Sequence, residues 1–210
     1  MSYDEFDAAR DEFYEQISQE LYPEHKQQAI EEFTAERLRS FYIQYPSVMR
    51  PAVEAVQEAK ALLAAGRYSP ALVFSASAFE LLLKATLLRP VVYGLVHHDA
   101  LAELVVQRVI GKQTDIERYE GLLARLFEEL AQIDIRAICR EGETTPLMKE
   151  AKQLQSLRDQ ILHRGDHCSR EDAERAFQVA VAIYEEIVVP MVGALRLKVG
   201  EKGVIVPAAV

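Results

Sequence analysis

The sequence predicts an all-α protein, and three observations carry that prediction. Successive segments place apolar residues three and four positions apart, which is the spacing of one helical face. Capping boxes open two of them, Thr114-x-x-Glu117 and Ser169-x-x-Asp172. Strict alternation of apolar and polar residues is confined to the tail. We therefore expect an acidic N-terminal helical arm over residues 1–45, a bundle of about five main helices over 46–197, and a tail, 198–210, able to form a short β-hairpin.

The first 36 residues, within the N-terminal arm, carry the whole charge imbalance of the chain. The net charge is −9, and residues 1–36 hold eleven acidic side chains against two basic ones. Pro23 separates two amphipathic segments of this arm, the second running from about Glu24 to Gln44. Their apolar positions are Phe6, Phe13, Ile17, Leu21, Ile30, Phe33, Leu38 and Phe41. The acidic side chains form either a solvated helical face or a cover for a basic groove that competes with phosphate.

The first two helices of the bundle have clear boundaries. Pro51 suits the first position of a helix that includes Ala52 to Ala65, and Gly66 ends it. Ser69-Pro70 then provides an N-cap and a first residue for a helix from Ala71 to Leu88. This second helix is apolar on nearly every face, so we expect it at the centre of the core. We expect Arg89-Pro90 to interrupt it, because proline cannot continue the hydrogen-bond ladder.

The later elements follow from similar signals. After a connection over residues 91–98, we expect helices over 100–110 and from the capping box at Thr114 to about Ile133, a turn over 135–139 and a polar loop from Arg140. Thr145-Pro146 opens the next helix, and Ser169 opens the last long one. The predicted buried stripe of the last helix is Ala173, Ala176, Phe177, Ala180, Tyr184, Ile187 and Val188.

Several classes of site and location are not expected. The two cysteines, Cys139 and Cys168, lack ligand-like spacing, which fits a reducing cytoplasm and no disulfide scaffold. His97 and His98 have no third ligand at a useful spacing, so we predict no metal and no cofactor. The N-terminus lacks the apolar core of a signal peptide. The apolar run from Ala176 to Leu197 is interpreted as a core helix, because it contains two glutamates and a proline.

The sequence from Leu157 to Gly165 ends the helix that Thr145-Pro146 opens, and it carries the candidate site. Arg158 and His163 are five residues apart, or about 140° around an ideal helix. One site can use both only if the helix end deforms or a second chain completes it. Asp159 stands four residues before His163, so the carboxylate is placed to orient the imidazole. Glu80 lies in the apolar helix and needs a partner, for which Lys84 and Arg158 are candidates.

This arrangement resembles the HEPN family of all-α domains. The resemblance rests on Arg158-x4-His163, on the polar Asp159 directly after the arginine, and on the helix beginning at Ser169, and it covers about residues 51–197. It implies a HEPN-like bundle, often a metal-independent ribonuclease of toxin and anti-phage systems, with a cleft between two subunits. One subgroup of the family carries a tyrosine two residues after the histidine. This chain has Gly165 at that position.

The resemblance implies an endoribonuclease that acts as a homodimer in the cytoplasm, with RNA as substrate and an antitoxin or other protein as a possible partner. His163 would transfer protons, Arg158 would hold phosphate and Asp159 would orient His163. Arg164, Glu80 and Lys84 are the candidate substrate-binding residues. The alternative function is a non-catalytic module that binds RNA, nucleotide or protein. A purely structural role is also open, with Arg158 paired to a carboxylate and His163 favoured by the helix dipole.

Overall fold

The computed structural model describes residues 35–95 and 117–208. Of these residues 73% are helical, and the only sheet among them has two strands, so the predicted mostly helical class is confirmed. Four sequence predictions lie outside the described residues: the arm up to residue 34, the His97–His98 pair, the helix over 100–110 and the capping box at Thr114.

The described chain folds as a layered set of helices joined by short turns. Helix α3 is central and contacts α2, α6 and α7. Two π-helical segments continue α3 and α7 into the short helices α4 and α8, and they contact each other. The elements are α1 (35–44), α2 (Arg50–Ala64), α3 (Tyr68–Leu81), the first π segment (Leu82–Leu88), α4 (Arg89–Leu95), α5 (Glu117–Ala131), α6 (Leu147–Arg164), α7 (Arg170–Ile183), the second π segment (Tyr184–Val188), α8 (Val189–Ala194), β1 (Leu197–Val199) and β2 (Ile205–Pro207).

The predicted bounds of α2 are close to those in the structure, whereas the predicted start of α3 is wrong. Pro51 occupies the first turn of α2, and Gly66 has a φ of +70° directly after the helix. Helix α3 begins at Tyr68, so the prediction that Ser69-Pro70 caps and starts it is wrong by two residues. The Ser69 hydroxyl instead accepts a hydrogen bond from the backbone N–H of Cys168 at 3.1 Å. This bond ties the start of α3 to the loop that follows α6.

The expected interruption at Arg89-Pro90 is wrong, because the helix continues through Pro90 to Leu95. Proline lacks an N–H, and its ring crowds the carbonyl four residues earlier, here that of Thr86. The wider π segment accommodates this crowding, and the Tyr42 hydroxyl donates to the Thr86 carbonyl at 2.5 Å. Pro190 in α8 follows the second π segment in the same way.

The core lies between α2, α3 and α7 and extends to α1, α5 and α6. Its largest fully buried side chains include Tyr42, Phe79, Phe127, Met49, Leu72 and Leu83. The predicted buried stripe of α7 is confirmed at Ala173, Ala176, Ala180, Ile187 and Val188. It is wrong at Phe177 and Tyr184, which are only half-buried because they face a cleft beside the C-terminal hairpin.

The predicted C-terminal hairpin is present and packs on α2. Strands β1 and β2 are antiparallel, with Leu197 opposite Pro207, and Leu197 and Ile205 are buried in the core. The Ile205 N–H donates to the Pro46 carbonyl at 2.9 Å. Gly203, at the turn, has a φ of +75°, and a Cβ there would lie 2.7 Å from Cγ2 of Val53. Only glycine therefore lets the turn approach α2 this closely.

Two helical stretches in the described part of the chain are long and apolar enough to cross a membrane: Tyr68–Tyr93 and Arg170–Ala194. Core helices of water-soluble proteins pass the same test. In these two helices 61% and 44% of the most apolar window is buried inside the bundle. The interpretation of the last helix as a core helix, and the cytoplasmic location, stay predictions.

Candidate functional site

Helix α6 carries the predicted motif and is anchored in the core from Leu147 to Arg158. Leu147, Ala151 and Leu154 are buried on one face, which keeps the apolar rhythm seen in the sequence. Gly165 ends the helix in the left-handed conformation, with a φ of +73°, as its position in the motif predicted. The next helix then starts at a complete capping box between Ser169 and Asp172, also as predicted.

Arg158 is buried at the contact between α6 and α3 and binds two carboxylates. Its residue exposure is 9%. Nη1 donates to Oε2 of Glu80 at 3.0 Å, while Nε and Nη2 both donate to Oδ1 of Asp159 at 3.1 and 2.9 Å. Gln155, one helical turn earlier, donates from Nε2 to Oε1 of Glu80. Both oxygens of Glu80 are therefore bound by side chains of α6, which decides the sequence alternatives in favour of Arg158 as a partner of Glu80.

The charges of this cluster do not balance, because one guanidinium faces two carboxylates. The side chains of Arg158 and Glu80 are only 11% and 14% exposed, whereas that of Asp159 is 46% exposed. A buried carboxylate requires such partners, since it is costly to remove from water alone. The network therefore joins α3 to α6 with charge-assisted hydrogen bonds. An incoming phosphate would meet Arg158 only after displacing one of its carboxylates.

His163 lies apart from this network, at the exposed end of α6. Within the described residues it has no hydrogen bond and no ion pair, and the same is true of the neighbouring, exposed Arg164. The expected hydrogen bond from the His163 imidazole to the Asp159 carboxylate is not formed, and Oδ1 of Asp159 accepts from Arg158. Lys84 is half-buried in the first π segment. The structure thus brings Arg158, Asp159 and Glu80 together and leaves His163 and Arg164 free in solvent.

Two large apolar side chains are exposed on the helix pair that holds the motif. Leu162, next to His163, is 55% exposed, and Phe74 of α3 is 40% exposed. Helices α3 and α6 are antiparallel, because Glu80 contacts Arg158 while Ser69 contacts Cys168. Phe74 lies on α3 between Ser69 and Glu80, and Leu162 lies between Arg158 and Cys168. The two residues are therefore at similar heights along the helix pair. The motif helix and its neighbour carry apolar surface that a second protein surface would bury favourably.

A second buried ion-pair network was missed by the sequence analysis. Arg140, expected in a polar loop, forks onto Glu150 with Nε and Nη2 at 2.7 and 2.8 Å and donates to Gln178 at 2.9 Å. Hydrogen bonding to Glu150 raises the pKa of Arg140. Glu150 is 4% exposed, and Arg175 approaches it at 3.5 Å. The signal in the sequence was Glu150 itself, a carboxylate between Leu147 and Leu154 on the apolar stripe of α6.

Comparisons of the chain with protein-family models, with curated proteins and with solved structures found no match. The likeness to the HEPN family therefore rests on the motif and the helical class alone. In the described ranges, 35–95 and 117–208, no three His, Cys, Asp or Glu side chains are grouped so that they could hold a metal ion. The site offers an imidazole and guanidinium groups.

Proposed function

We propose that this chain is a HEPN-like, metal-independent endoribonuclease that acts as a homodimer, in a toxin or anti-phage context. One observation carries the proposal: His163 stands exposed and unbonded at the end of a well-anchored helix, beside the exposed Arg164. Histidine is the side chain best suited to give and take protons at neutral pH. An exposed guanidinium binds phosphate through two parallel hydrogen bonds.

The reaction needs no group beyond the RNA and these side chains. The 2′-hydroxyl gives its proton to one imidazole and attacks the adjacent phosphorus, while the bond from phosphorus to the 5′-oxygen breaks. A second, protonated imidazole gives a proton to that 5′-oxygen. The products are a 2′,3′-cyclic phosphate and a free 5′-hydroxyl. Arg164 stabilises the charge that develops on the phosphate, and Arg158, held by Glu80 and Asp159, positions α6.

The two imidazoles come from two chains in this proposal. The motif supplies one histidine per chain, and a two-fold axis beside the end of α6 would place two of them in one cleft. Phe74 and Leu162 supply apolar surface for that contact. Arg158 and His163 lie on different sides of α6, so one chain cannot place both in a single site. In the dimer each chain contributes only the end of its α6 helix, with His163 and Arg164.

The experiment is incubation of the purified protein with total RNA in EDTA, followed by analysis of the product ends. We expect 2′,3′-cyclic phosphates, and His163→Ala should slow cleavage by roughly 10²–10⁴-fold with little change in RNA affinity. Arg164→Ala should weaken both affinity and rate. His167→Ala is the matched control, because His167 is equally exposed and lies four residues further along. Absence of cleavage by the wild type, or cleavage that survives His163→Ala, would refute the proposed ribonuclease activity.

A non-catalytic module that binds RNA, nucleotide or a protein is the second candidate function. It is favoured by the buried state of Arg158, whose guanidinium already binds Glu80 and Asp159. Such a module would bind an RNA oligonucleotide without cleaving it. Its affinity would then fall in Arg164→Ala, which removes a positive charge from the exposed helix end, and stay unchanged in His163→Ala.

A further inference from the structure

A cleft on a different part of the molecule has the size and lining of a small-molecule site. It lies between α2, the C-terminal part of the long α7 helix and the β1–β2 hairpin, and its volume is about 370 Å³. We call it the hairpin cleft. Ligand pockets in proteins typically measure about 300–1,000 Å³ and are mostly apolar with a few polar groups. The motif residues of α6 do not line it.

The interior of the hairpin cleft is apolar. Its floor includes the buried Met49, Ala52 and Leu82, which belong to the core. Its walls are half-buried aliphatic and aromatic side chains, namely Val53, Val56, Phe177, Val181 and Val199. An aliphatic chain placed here would remove apolar surface from water on both sides of the contact, which is favourable in proportion to the area buried.

The rim of the cleft is polar and carries two positive charges. Lys60 of α2 and Lys202 of the hairpin turn line it, together with Gln57 and Tyr184. Within the described residues none of these four side chains has a hydrogen bond or an ion pair. Burial raises the pKa of the Tyr184 hydroxyl, which therefore remains a hydrogen-bond donor at neutral pH. The rim offers donors and positive charge, and no carboxylate is among the residues that line the cleft, while Glu185 lies near enough to Tyr184 to contribute to the raised pKa of its hydroxyl.

The position of Lys202 is fixed by the backbone around it. Lys202 has a φ of +53°, which is uncommon for a residue with a side chain. The next residue, Gly203, lies so close to Val53 that a Cβ would clash. The hairpin turn is thus held against α2, and Lys202 lies at the same cleft as Lys60. Lys202 and Gly203 are the two central residues of a turn closed by the bond from the Val204 N–H to the Glu201 carbonyl at 3.2 Å, and a hairpin turn of this kind requires positive φ at both.

From this geometry we infer that the hairpin cleft binds a soluble amphiphilic monocarboxylate. The aliphatic chain occupies the apolar interior, and the carboxylate lies at the rim between Lys60 and Lys202, where Tyr184 and Gln57 also donate to it. Charge complementarity selects this ligand: two ammonium groups without carboxylate partners favour an anion, while the interior excludes a fully polar one. The site is independent of the proposed ribonuclease.

The test is titration calorimetry of the full-length protein with hexanoate, octanoate and decanoate. We expect saturable binding of one carboxylate per chain, with affinity rising on the order of tenfold for each two added methylenes. Octanol should bind at least tenfold more weakly than octanoate. Lys60→Gln with Lys202→Gln should remove that difference. The matched control is Lys149→Gln with Lys198→Gln, two exposed lysines outside the cleft, which should preserve it.

Two further measurements separate other occupants from this one. Val181→Phe should fill the cleft and weaken decanoate more than hexanoate, which distinguishes binding inside the cleft from adsorption on the surface. Zero-length carboxyl-to-amine crosslinking, mapped by mass spectrometry, should leave Lys60 and Lys202 without crosslinks to residues 1–36. The inference is overturned by absence of saturable decanoate binding, by equal binding in the Lys60/Lys202 variant, or by such crosslinks, which would make the acidic arm the occupant.

Discussion

Arg158 holds two helices together through Glu80, and its removal should therefore cost more than that of an exposed arginine. Arg158→Ala removes a charged donor from the largely buried Glu80, which keeps the hydrogen bond from Gln155. Breaking a buried pair from one side typically costs about 3–5 kcal/mol. We expect a loss of about 3 kcal/mol in the free energy of unfolding, measured by urea denaturation with circular dichroism. Adding Glu80→Gln to the Arg158→Ala variant should recover part of that loss, because the neutral amide is less costly to bury than the carboxylate.

The control for this prediction is Arg164→Ala, on the same helix but exposed. It should change the free energy of unfolding by no more than about 0.5 kcal/mol. Equal effects of the two substitutions would show that the Glu80–Arg158 pair contributes little. Because Arg158→Ala lowers stability, any effect on cleavage must be measured where the variant is folded.

At the scale of the elements, Tyr42 compensates for the missing N–H of Pro90. Tyr42→Phe leaves the Thr86 carbonyl without this donor, which should cost about 1–3 kcal/mol. In the Pro90→Ala variant the helix regains an N–H at residue 90. Tyr42→Phe should therefore lower the free energy of unfolding by less in that variant than in the wild type. The measurement is a double-mutant cycle of the free energy of unfolding. Additive losses would mean that Tyr42 and Pro90 act independently.

Tyr42 also gives this prediction a pH dependence. Burial raises the pKa of Tyr42 well above its ordinary value of 10. The folded protein therefore keeps the phenolic proton while the unfolded chain loses it, so this contribution is complete below pH 10 and decreases as the pH rises further. Tyr42→Phe should accordingly show a smaller loss of stability between pH 9 and 11 than the wild type, as measured by thermal unfolding.

Local sequence signals explain most element boundaries and few of the interruptions. Gly66, Gly165 and the Ser169 capping box marked helix ends correctly, because the interactions involved are within four residues. The prediction at Arg89-Pro90 failed because the compensating hydrogen bond comes from Tyr42, which is 44 residues in sequence from its acceptor Thr86. The candidate site was half predictable for the same reason. The sequence offered Arg158 as one of two partners for Glu80. It did not show that Asp159 would accept hydrogen bonds from Arg158 and none from His163.

For the whole molecule, the proposed function requires two chains. We expect Leu162→Asp to shift the protein from dimer to monomer in sedimentation velocity at micromolar concentration, because Leu162 would lie in the interface beside His163. The matched control is Ile43→Asp on α1, since Ile43 is 54% exposed and Leu162 is 55% exposed. A wild-type monomer, or dimers that persist in Leu162→Asp, would contradict the proposed arrangement.

The acidic arm can be tested by truncation, and the structure gives the cut. Leu38, Phe41 and Tyr42 are buried in the core, so removal of residues 1–45 should unfold the protein. Removal of residues 1–34 deletes ten acidic and two basic side chains and keeps every described residue of α1. If the arm competes with phosphate, affinity for an RNA oligonucleotide should rise at low salt, and the gain should shrink as salt is added. Unchanged affinity would assign the arm a role other than competition.

The bond between Ile205 and the Pro46 carbonyl sets an order of events during synthesis. Translation runs from the N-terminus, so α2 leaves the ribosome long before β2, which is the last described element to be made. Until then the face of α2 around Val53 lacks its cover, and the contact closes a loop of about 160 residues, whose ordering entropy must be offset at that moment. The apolar face of α2 is therefore exposed from the time α2 leaves the ribosome until β2 is made. We expect the nascent chain to be a client of chaperones that recognise such surfaces.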